Sequence, residues 1–305
     1  MHLQKTAGAI LFLLTSVFTI LSCGEADNTD ISEYQSCTEY GEPLYIGKLS
    51  DARLTEISGM AFSRKNNGVF YLHNDAGHSA IVYVINTKRE VLGTLVFSNL
   101  NAEDWEDIAI AKCGDDDCIF IADTGDNSEE RDNVSIIKFT EPTIDPDTPF
   151  NSMLIEDVES MTLAFLDKPH DVEAMAVDEN MSIYLFSKQL GYSAYFRTDG
   201  FYHNTEKTPE YVGRIELEEE ESVTAADIHP DGLQLLLRTN DSLYEYTFGD
   251  KSEINSLTGL SYSSIEAGSD EQGEAVAYNP NSGSIWHTSE AVSDEYPAVY
   301  EIRCK

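Results

Sequence analysis

The chain of 305 residues carries a formal net charge of −36, because 55 Asp and Glu residues outnumber 19 Lys and Arg residues. A surface this acidic repels phosphate backbones and anionic lipid headgroups, which excludes nucleic acid as an expected partner. The hydrophobic fraction of 41%, with 13 Phe and 16 Tyr, is sufficient for a packed core.

The N-terminus has the pattern of an export signal. A short polar start is followed by an apolar run over 7–21, which is shorter than the roughly 20 residues that a membrane span needs. The run ends in Ser22, Cys23 and Gly24, and this end resembles a bacterial lipobox whose Cys23 becomes lipidated after cleavage. An ordinary secretory signal with a chance cysteine is the alternative.

The sequence therefore predicts three regions: a signal peptide over 1–22, a lipidated cysteine with an acidic tether over 23–40, and one domain over 41–305. Residue 24 is Gly and not Asp, which in the Gram-negative sorting pattern that this resembles directs a lipoprotein to the outer membrane. We expect an exported monomer that is attached to the cell envelope through its lipid anchor only.

Four further cysteines allow three pairings. Cys113 and Cys118 lie between two apolar strand patterns, so we expect them to cross-link a hairpin. Cys37 and Cys304 remain, and their bond would close a loop of nearly the whole domain, contributing about 4 kcal/mol or more. The competing interpretation is a metal site of four thiolates, which lacks paired CxxC spacing and suits a reducing compartment better.

A short motif that reads polar, small, apolar, small or polar, apolar recurs along the chain. Its copies begin about 50 residues apart, which is the length of one four-stranded propeller blade. The copies are 58–62, 106–110, 173–177, 224–228 and 274–278. Each copy is followed by a turn and by further strand patterns. The sequence therefore predicts an all-β fold, a β-propeller of five four-stranded blades.

The last copy leaves room for only three strands before residue 305. The missing fourth strand is predicted at 44–50, so that N- and C-terminal strands share the last blade and the ring closes without exposed sheet edges. A β-sandwich is the alternative, but it would not need equal copies at this period. The Pro-rich stretch 141–149 is predicted to be a loop insertion.

In such a ring, the first strand of each blade starts at the same mouth of the central channel where the second strand ends. Residues two apart on a strand point the same way, so polar pairs at these strand ends should line that mouth. The residues expected to bind a ligand there are Asn74, Asp75, Asp104, Glu106, Asp123, Glu173, Lys188, Arg238, Glu274 and Glu290.

So many carboxylates cannot all be ionised without compensation, because two like charges about 4 Å apart repel by about 4 kcal/mol at an effective dielectric constant of about 20. Protonation, ion pairs with Lys188 and Arg238, or a hard divalent cation would each relieve the repulsion. Oxygen ligands favour calcium over zinc or copper. The hypothetical calcium ligands are Asn74, Glu106, Asp123, Glu173 and Glu274.

Two alternatives concern this site. The channel could instead hold only hydrogen-bonded water and no specific ligand. The loop 123–130 is a second, weaker calcium candidate, because it is rich in oxygen ligands but lacks the spacing of a helix-flanked calcium loop.

Six motifs together resemble a family of bacterial exported lipoproteins with a β-propeller domain. They are the segments at 74–77, 104–108, 123–127, 172–175, 223–228 and 272–276, and they include NDAG, DWEDI and DTGDN. The architecture is more loosely similar to phytase-like and lactonase-like propellers, and this similarity implies calcium held by channel carboxylates and an Asn. A shared fold does not fix a shared function.

Two functions are consistent with these patterns. The first is an envelope protein whose acidic channel binds a small ligand, a divalent cation or a partner. The second is a calcium-dependent hydrolase of the phosphoesterase or lactonase type with its active site at the channel mouth. No GxSxG, HExxH, GxGxxG or phosphate-loop motif occurs, so no organic cofactor is expected and enzymatic activity stays open.

Overall fold

The structure, a computed structural model, describes residues 36–49, 51–75, 77–268, 272–291 and 296–305. The predicted signal peptide, Cys23 and most of the predicted tether lie outside the described residues. No helix within the described part of the chain has the length and apolar character needed to cross a membrane.

The described residues are almost entirely β-strand, with one 3-10 helix at Lys251–Ser256. In chain order the strands are β1 (Tyr40–Lys48), β2 (Ile57–Phe62), β3 (Val69–Asn74), β4 (Ile81–Asn86), β5 (Val91–Phe97), β6 (Trp105–Cys113), β7 (Asp116–Asp123), β8 (Val134–Thr140), β9 (Ser152–Ile155), β10 (Glu159–Leu163), β11 (Val172–Val177), β12 (Ile183–Ser187), β13 (Tyr192–Thr198), β14 (Glu206–Lys207), β15 (Glu210–Glu216), β16 (Val223–Ile228), β17 (Gln234–Thr239), β18 (Ser242–Thr247), β19 (Tyr262–Glu266), β20 (Gly273–Tyr278), β21 (Ile285–Ser289) and β22 (Ala298–Cys304).

These strands form five sheets, each of which is one propeller blade. From the channel outwards, blade one is β2-β3-β4-β5-β9, blade two β6-β7-β8-β10-β14, blade three β11-β12-β13-β15, blade four β16-β17-β18-β19 and blade five β20-β21-β22-β1. The innermost strands contact each other in the order β2, β6, β11, β16, β20 and back to β2, so the ring is closed. The predicted five-bladed propeller is confirmed, and each motif copy lies on an innermost strand.

The ring closes where the sequence predicts it. Strand β1 pairs antiparallel with β22, with Tyr45 opposite Tyr300, so the two chain ends share blade five. A disulfide joins Cys37 to Cys304 with their Cα atoms 5.6 Å apart. A second disulfide joins Cys113 to Cys118 across the β6–β7 hairpin. Both predicted disulfides are therefore present.

The hydrophobic core lies between the blades. It consists of five clusters of buried side chains among the described residues, and each cluster is shared by two adjacent blades. Trp105 belongs to the cluster between blades one and two, and Trp286 to the cluster between blades five and one. Both faces of each sheet are buried in this way. Polar side chains that point inwards therefore need hydrogen-bond or ion-pair partners along the channel.

Two blades carry a fifth strand that the sequence does not predict. Strand β9 adds to blade one and β14 adds to blade two, both in parallel pairing. The Pro-rich insertion brings the chain to β9 by crossing blade one. There Glu141 accepts hydrogen bonds from Tyr71 Oη at 2.9 Å and Asn66 Nδ2 at 3.0 Å. The insertion is therefore an ordered connection from blade two to blade one.

Candidate functional site

Every innermost strand has a β-bulge at the first residue of the motif. In blade two, Trp105 pairs with Asp123 and Asp107 pairs with Ala122, so Glu106 is the extra residue. The same irregularity occurs in the other four blades. The five bulged residues are Ser58, Glu106, Glu173, Thr224 and Glu274. A bulge re-aims its side chain and is frequent beside functional sites.

Hydrogen bonds link two of the bulged residues to the innermost strand of the neighbouring blade. Ser58 Oγ donates to the backbone oxygen of Glu106 at 2.6 Å and to its Oε2 at 3.2 Å. Thr224 Oγ1 donates to the backbone oxygen of Gly273 at 2.7 Å. The sequence thus builds one polar ring from five separate segments, and three of its five members are glutamates.

Two groups of three carboxylates lie at this mouth, and they share Glu106. The first group is Asp75, Asp104 and Glu106, and the second is Glu106, Asp171 and Glu173. Within each group, one oxygen from every residue lies within 4.8 Å of the others. The structure therefore brings together residues from blades one, two and three that are up to 98 positions apart, from Asp75 to Glu173.

Lys188 is the principal cation of the site. It follows β12, and its Nζ lies 2.9 Å from Glu173 Oε1. The side chain of Lys188 is 33% exposed, whereas that of Glu173 is 4% exposed, so the lysine faces the opening. Burial alone would lower the pKa of Lys188, but the charges of Glu173, Glu274 and Glu106 raise it. The predicted pairing of Lys188 with a carboxylate is present.

Burial raises the pKa of the carboxyl groups at this mouth. It raises the pKa of Glu173 to about 8, although Lys188 opposes the shift. The pKa of Glu274 rises to about 7 through burial, against the effect of Lys188. The pKa of Asp104 rises to about 7 through burial and the nearby Asp75, and that of Glu106 lies well above its ordinary value through burial and Glu173. The cluster therefore holds protons near neutral pH unless another cation replaces them.

Gly125 allows two of these carboxylates to approach the backbone. A Cβ atom at position 125 would lie 2.0 Å from Glu106 Oε1 and 2.4 Å from Asp104 Cγ. Asp104 Oδ1 is buried and has no hydrogen-bond partner within the described ranges. Such an oxygen fits a site in which a cation supplies the missing contact.

Glu274 and Glu290 lie at the same mouth but belong to neither three-carboxylate group. Burial raises the pKa of Glu290, and Asp75 and Glu56 raise it further. Arg238 lies deeper, fully buried, with its Nη1 atom 3.5 Å from His287 Nδ1. Its charge lowers the pKa of Glu274, but less than Lys188 does.

The structure places Asp123 outside both carboxylate groups. Its carboxylate accepts hydrogen bonds from the backbone N–H groups of Glu103 and Asp104, both at 3.1 Å, and lies 2.9 Å from Arg131 Nη2. Asp126 accepts from the N–H groups of Glu130 and Arg131. The loop 123–130 is thus closed by its own hydrogen bonds, and the role of Asp123 as a cation ligand stays a prediction.

Asn74 ends β3 beside the mouth. Its Nδ2 donates to the backbone oxygen of Arg53 at 2.6 Å, and its buried Oδ1 has no hydrogen-bond partner among the described residues. Its role as a cation ligand stays a prediction. The neighbouring His73 is fully buried, its Nδ1 lies 3.1 Å from the backbone oxygen of Asn74, and burial lowers its pKa to about 4.

Asp171 and Asp107 complete the surroundings of the site, and of these two only Asp107 escaped the sequence reasoning. Asp171 precedes Glu173 by two positions, as Asp104 precedes Glu106, and this spacing predicts that it lies at the mouth, where the structure has it. Asp107 is fully buried below the mouth, where its Oδ2 accepts from Met175 N at 2.8 Å and Ala226 N at 3.1 Å. It is a carboxylate at a motif position that is Gly or Ala in the other copies.

Comparison with known proteins adds little to this geometry. The chain matches no protein-family model and no curated protein sequence. Among solved structures it is similar to the β-propeller domain of Cps50 (Swd1) from Myceliophteria thermophila, with 8% sequence identity and a TM-score of 0.44. The match covers 85% of this chain and 100% of that domain. The fold assignment rests on the sheet order and the closed ring.

Proposed function

We propose that this protein is a cell-envelope lipoprotein whose β-propeller binds a divalent cation, foremost calcium, at the acidic mouth of its channel. The observation that carries the proposal is the pair of three-carboxylate groups that share Glu106. Two oxygens that each lie about 2.4 Å from one calcium ion are at most about 4.8 Å apart. The oxygens within each group meet this limit.

The chemistry of the donors favours a hard cation. Both groups consist of carboxylates only, without His or Cys among their described members, and such ligands suit calcium, magnesium or manganese better than zinc or copper. The ligands of the ion would be drawn from Asp75, Asp104, Glu106, Asp171 and Glu173, with Asn74 beside them. A bound cation would also supply the positive charge that the buried carboxyl groups otherwise obtain from protons.

Isothermal titration calorimetry with calcium chloride tests the proposal. We expect the wild-type protein to bind calcium and Glu106→Gln to bind at least about tenfold more weakly, since the substitution removes the carboxylate common to both groups. Glu210→Gln removes the same charge from an exposed strand position and should bind like the wild type. Equal affinity of wild type and Glu106→Gln would contradict the proposal.

The position of Lys188 favours hydrolysis of an anionic or carbonyl substrate as a second candidate. A partly exposed ammonium group beside a carboxylate cluster can stabilise negative charge that develops in a transition state. Calcium-loaded protein should then hydrolyse a phosphoester or a lactone, and Lys188→Met should lose this activity while Glu210→Gln keeps it. Absence of turnover on both substrate classes would leave cation binding as the function.

The envelope location has its own test. The proposal predicts that the protein is extracted with membranes and that its mature N-terminus carries a lipid on Cys23. In Cys23→Ser the protein should appear in the soluble fraction. Mass spectrometry of the N-terminal peptide checks the modification, and an unmodified Cys23 in the purified membrane fraction would contradict it.

A further inference from the structure

A cavity of about 350 Å³ lies between blades three and four. Its lining includes the turn after β11, near Asp178, and the turn after β16, near Gly232. Both turns follow the ends of innermost strands that lie away from the channel mouth. The cavity is therefore at the opposite face of the propeller and is separate from the carboxylate site.

Arg197 is the notable group in this cavity. It lies near the end of β13, and its Nε atom is buried without a hydrogen-bond partner among the described residues. None of the ion pairs found within the described ranges involves Arg197. Its charge lowers the pKa of the neighbouring Tyr184 and Tyr195 hydroxyls against the larger effect of burial. A buried guanidinium donor without an acceptor is costly, and a bound acceptor would relieve that cost.

The acidic residues of the cavity are already engaged. Asp178 accepts hydrogen bonds from the N–H groups of Asn180 at 2.8 Å and Ser182 at 2.9 Å, and from the Tyr184 hydroxyl at 3.0 Å. Asp250 accepts from the N–H of Ser252 at 2.9 Å, and it caps the 3-10 helix.

The remaining acid of the lining, Glu179, is paired with the other cation of the cavity. Lys251 Nζ lies 2.7 Å from Glu179 Oε2. Each of these carboxylates therefore has hydrogen-bond or ion-pair partners other than Arg197.

We propose that this cavity binds a small organic carboxylate through Arg197. A guanidinium group presents paired N–H donors that match the two oxygens of a carboxylate. The N–H donors of Arg197 can bind one carboxylate, and the three acidic residues around it repel a doubly charged phosphate more strongly than a monoanion. Ile228 and Ile254 supply apolar surface for the body of the ligand, and Asn255 supplies an amide. The volume lies within the range of small-molecule sites, about 300–1,000 Å³.

Calorimetry with 4-bromobenzoate as the probe tests this proposal, with 4-bromobenzamide as the uncharged analogue and inorganic phosphate as the competing anion. We expect the wild type to bind the carboxylate and Arg197→Gln to bind it at least tenfold more weakly. Arg214→Gln removes an arginine of the adjacent strand β15 that is paired with Glu216 and does not line the cavity, and it should bind like the wild type. Glu106→Gln should also retain binding, which separates this site from the proposed cation site.

Three results would overturn the proposal: equal binding of the amide and the carboxylate, tighter binding of phosphate, or unchanged affinity in Arg197→Gln. Circular dichroism establishes that the variants are folded. If Arg197→Gln does not fold, crystals of the wild type soaked in 4-bromobenzoate decide the question. An anomalous bromine peak in the cavity beside Arg197 supports the proposal, and bromine peaks elsewhere or nowhere overturn it.

Discussion

At the scale of single residues, the channel mouth depends on how closely carboxylates can approach a backbone. Gly125 leaves room for Glu106 and Asp104, and Lys188 balances part of their charge from the open side. Gly125 thus sets part of the shape of the site, and Lys188 sets part of its charge. A change in the shape of the site can therefore be separated experimentally from a change in its charge.

We predict that Gly125→Ala weakens calcium binding at least about tenfold without altering the charge of the protein. The new methyl group would overlap Glu106 Oε1 at 2.0 Å and force the carboxylate away from its group. Calorimetry measures the effect. Gly249→Ala is the matched control, because the nearest atom to its Cβ is Glu253 Oε1 at 3.6 Å. Unchanged affinity in Gly125→Ala would show that Glu106 is not a ligand.

We also predict that, in the presence of a chelator, stability falls as the pH rises from 5 to 9. The pKa of Glu173 rises from an ordinary 4.5 to about 8 through burial, and that of Glu274 rises to about 7. The folded state thus binds more protons than the unfolded state in this range, so its stabilisation is complete below the ordinary pKa and is lost as the pH passes the raised values.

Each unit of raised pKa corresponds to about 1.4 kcal/mol. Melting temperatures across the pH range, recorded with chelator and with calcium, check this prediction. Glu173→Gln should flatten the profile, and calcium should restore stability at high pH. A melting temperature that increases between pH 5 and 9 with chelator present would contradict the raised pKa values.

Side-chain roles at this scale were the least predictable part of the site. The alternation of strand residues placed Glu106, Glu173 and Glu274 at one mouth, as the structure has them. It could not reveal the bulges, which depend on pairing with a second strand. Asp123 was predicted as a ligand because it ends a strand, but Arg131 and two backbone N–H groups hold its carboxylate.

At the scale of elements, each blade places a polar residue at the channel and buries both faces of its sheet against its neighbours. Blade-to-blade hydrogen bonds below the mouth keep the innermost strands in register. Asp107 of blade two bonds to backbone N–H groups of blades three and four, and Asp227 of blade four accepts from Tyr278 N of blade five at 2.9 Å. These hydrogen bonds hold the innermost strands in place and thereby position the bulges at the channel mouth.

We predict that Asp107→Ala lowers the free energy of unfolding by about 3 kcal/mol or more. The substitution leaves three buried N–H groups without an acceptor, and each such group costs about 1–3 kcal/mol. Unfolding in guanidinium chloride measures the loss. Asp116→Ala changes an exposed residue of the β6–β7 hairpin and should be nearly neutral. A loss below about 1 kcal/mol in Asp107→Ala would mean that the N–H groups find other acceptors.

The strands of the blades followed from the sequence because most are short apolar runs bounded by turn residues. Strands β9 and β14 could not be predicted from the sequence, since both are short and each pairs with a strand that is distant in sequence. The ordered path of the insertion depends on contacts such as the hydrogen bond between Glu141 and Tyr71. Such contacts cannot be predicted from the local sequence.

At the scale of the whole molecule, the ring of blades is closed because a strand from the N-terminal end of the chain completes the sheet formed by the C-terminal strands. Strand β1 and the Cys37–Cys304 disulfide provide this closure. The repeat period and the short last copy were sufficient to predict it. The position of the ends matters for function, since opening of the ring would separate residues that meet at the channel mouth.

We predict that loss of the two disulfides has unequal effects. The Cys37–Cys304 bond spans 267 residues and the Cys113–Cys118 bond spans 5, so loop entropy gives about 6 and about 2 kcal/mol of stabilisation respectively. Denaturant unfolding of the two double Cys→Ser variants compares them. A smaller loss for the Cys37/Cys304 variant would indicate that the disulfide does not secure the ring.

Calcium anomalous diffraction tests the central claim most directly, with crystals grown in calcium chloride and data collected at long wavelength. We predict one calcium peak at the channel mouth, within about 2.3–2.6 Å of a Glu106 carboxylate oxygen. Calcium peaks confined to other surfaces, with none at the mouth, would contradict it.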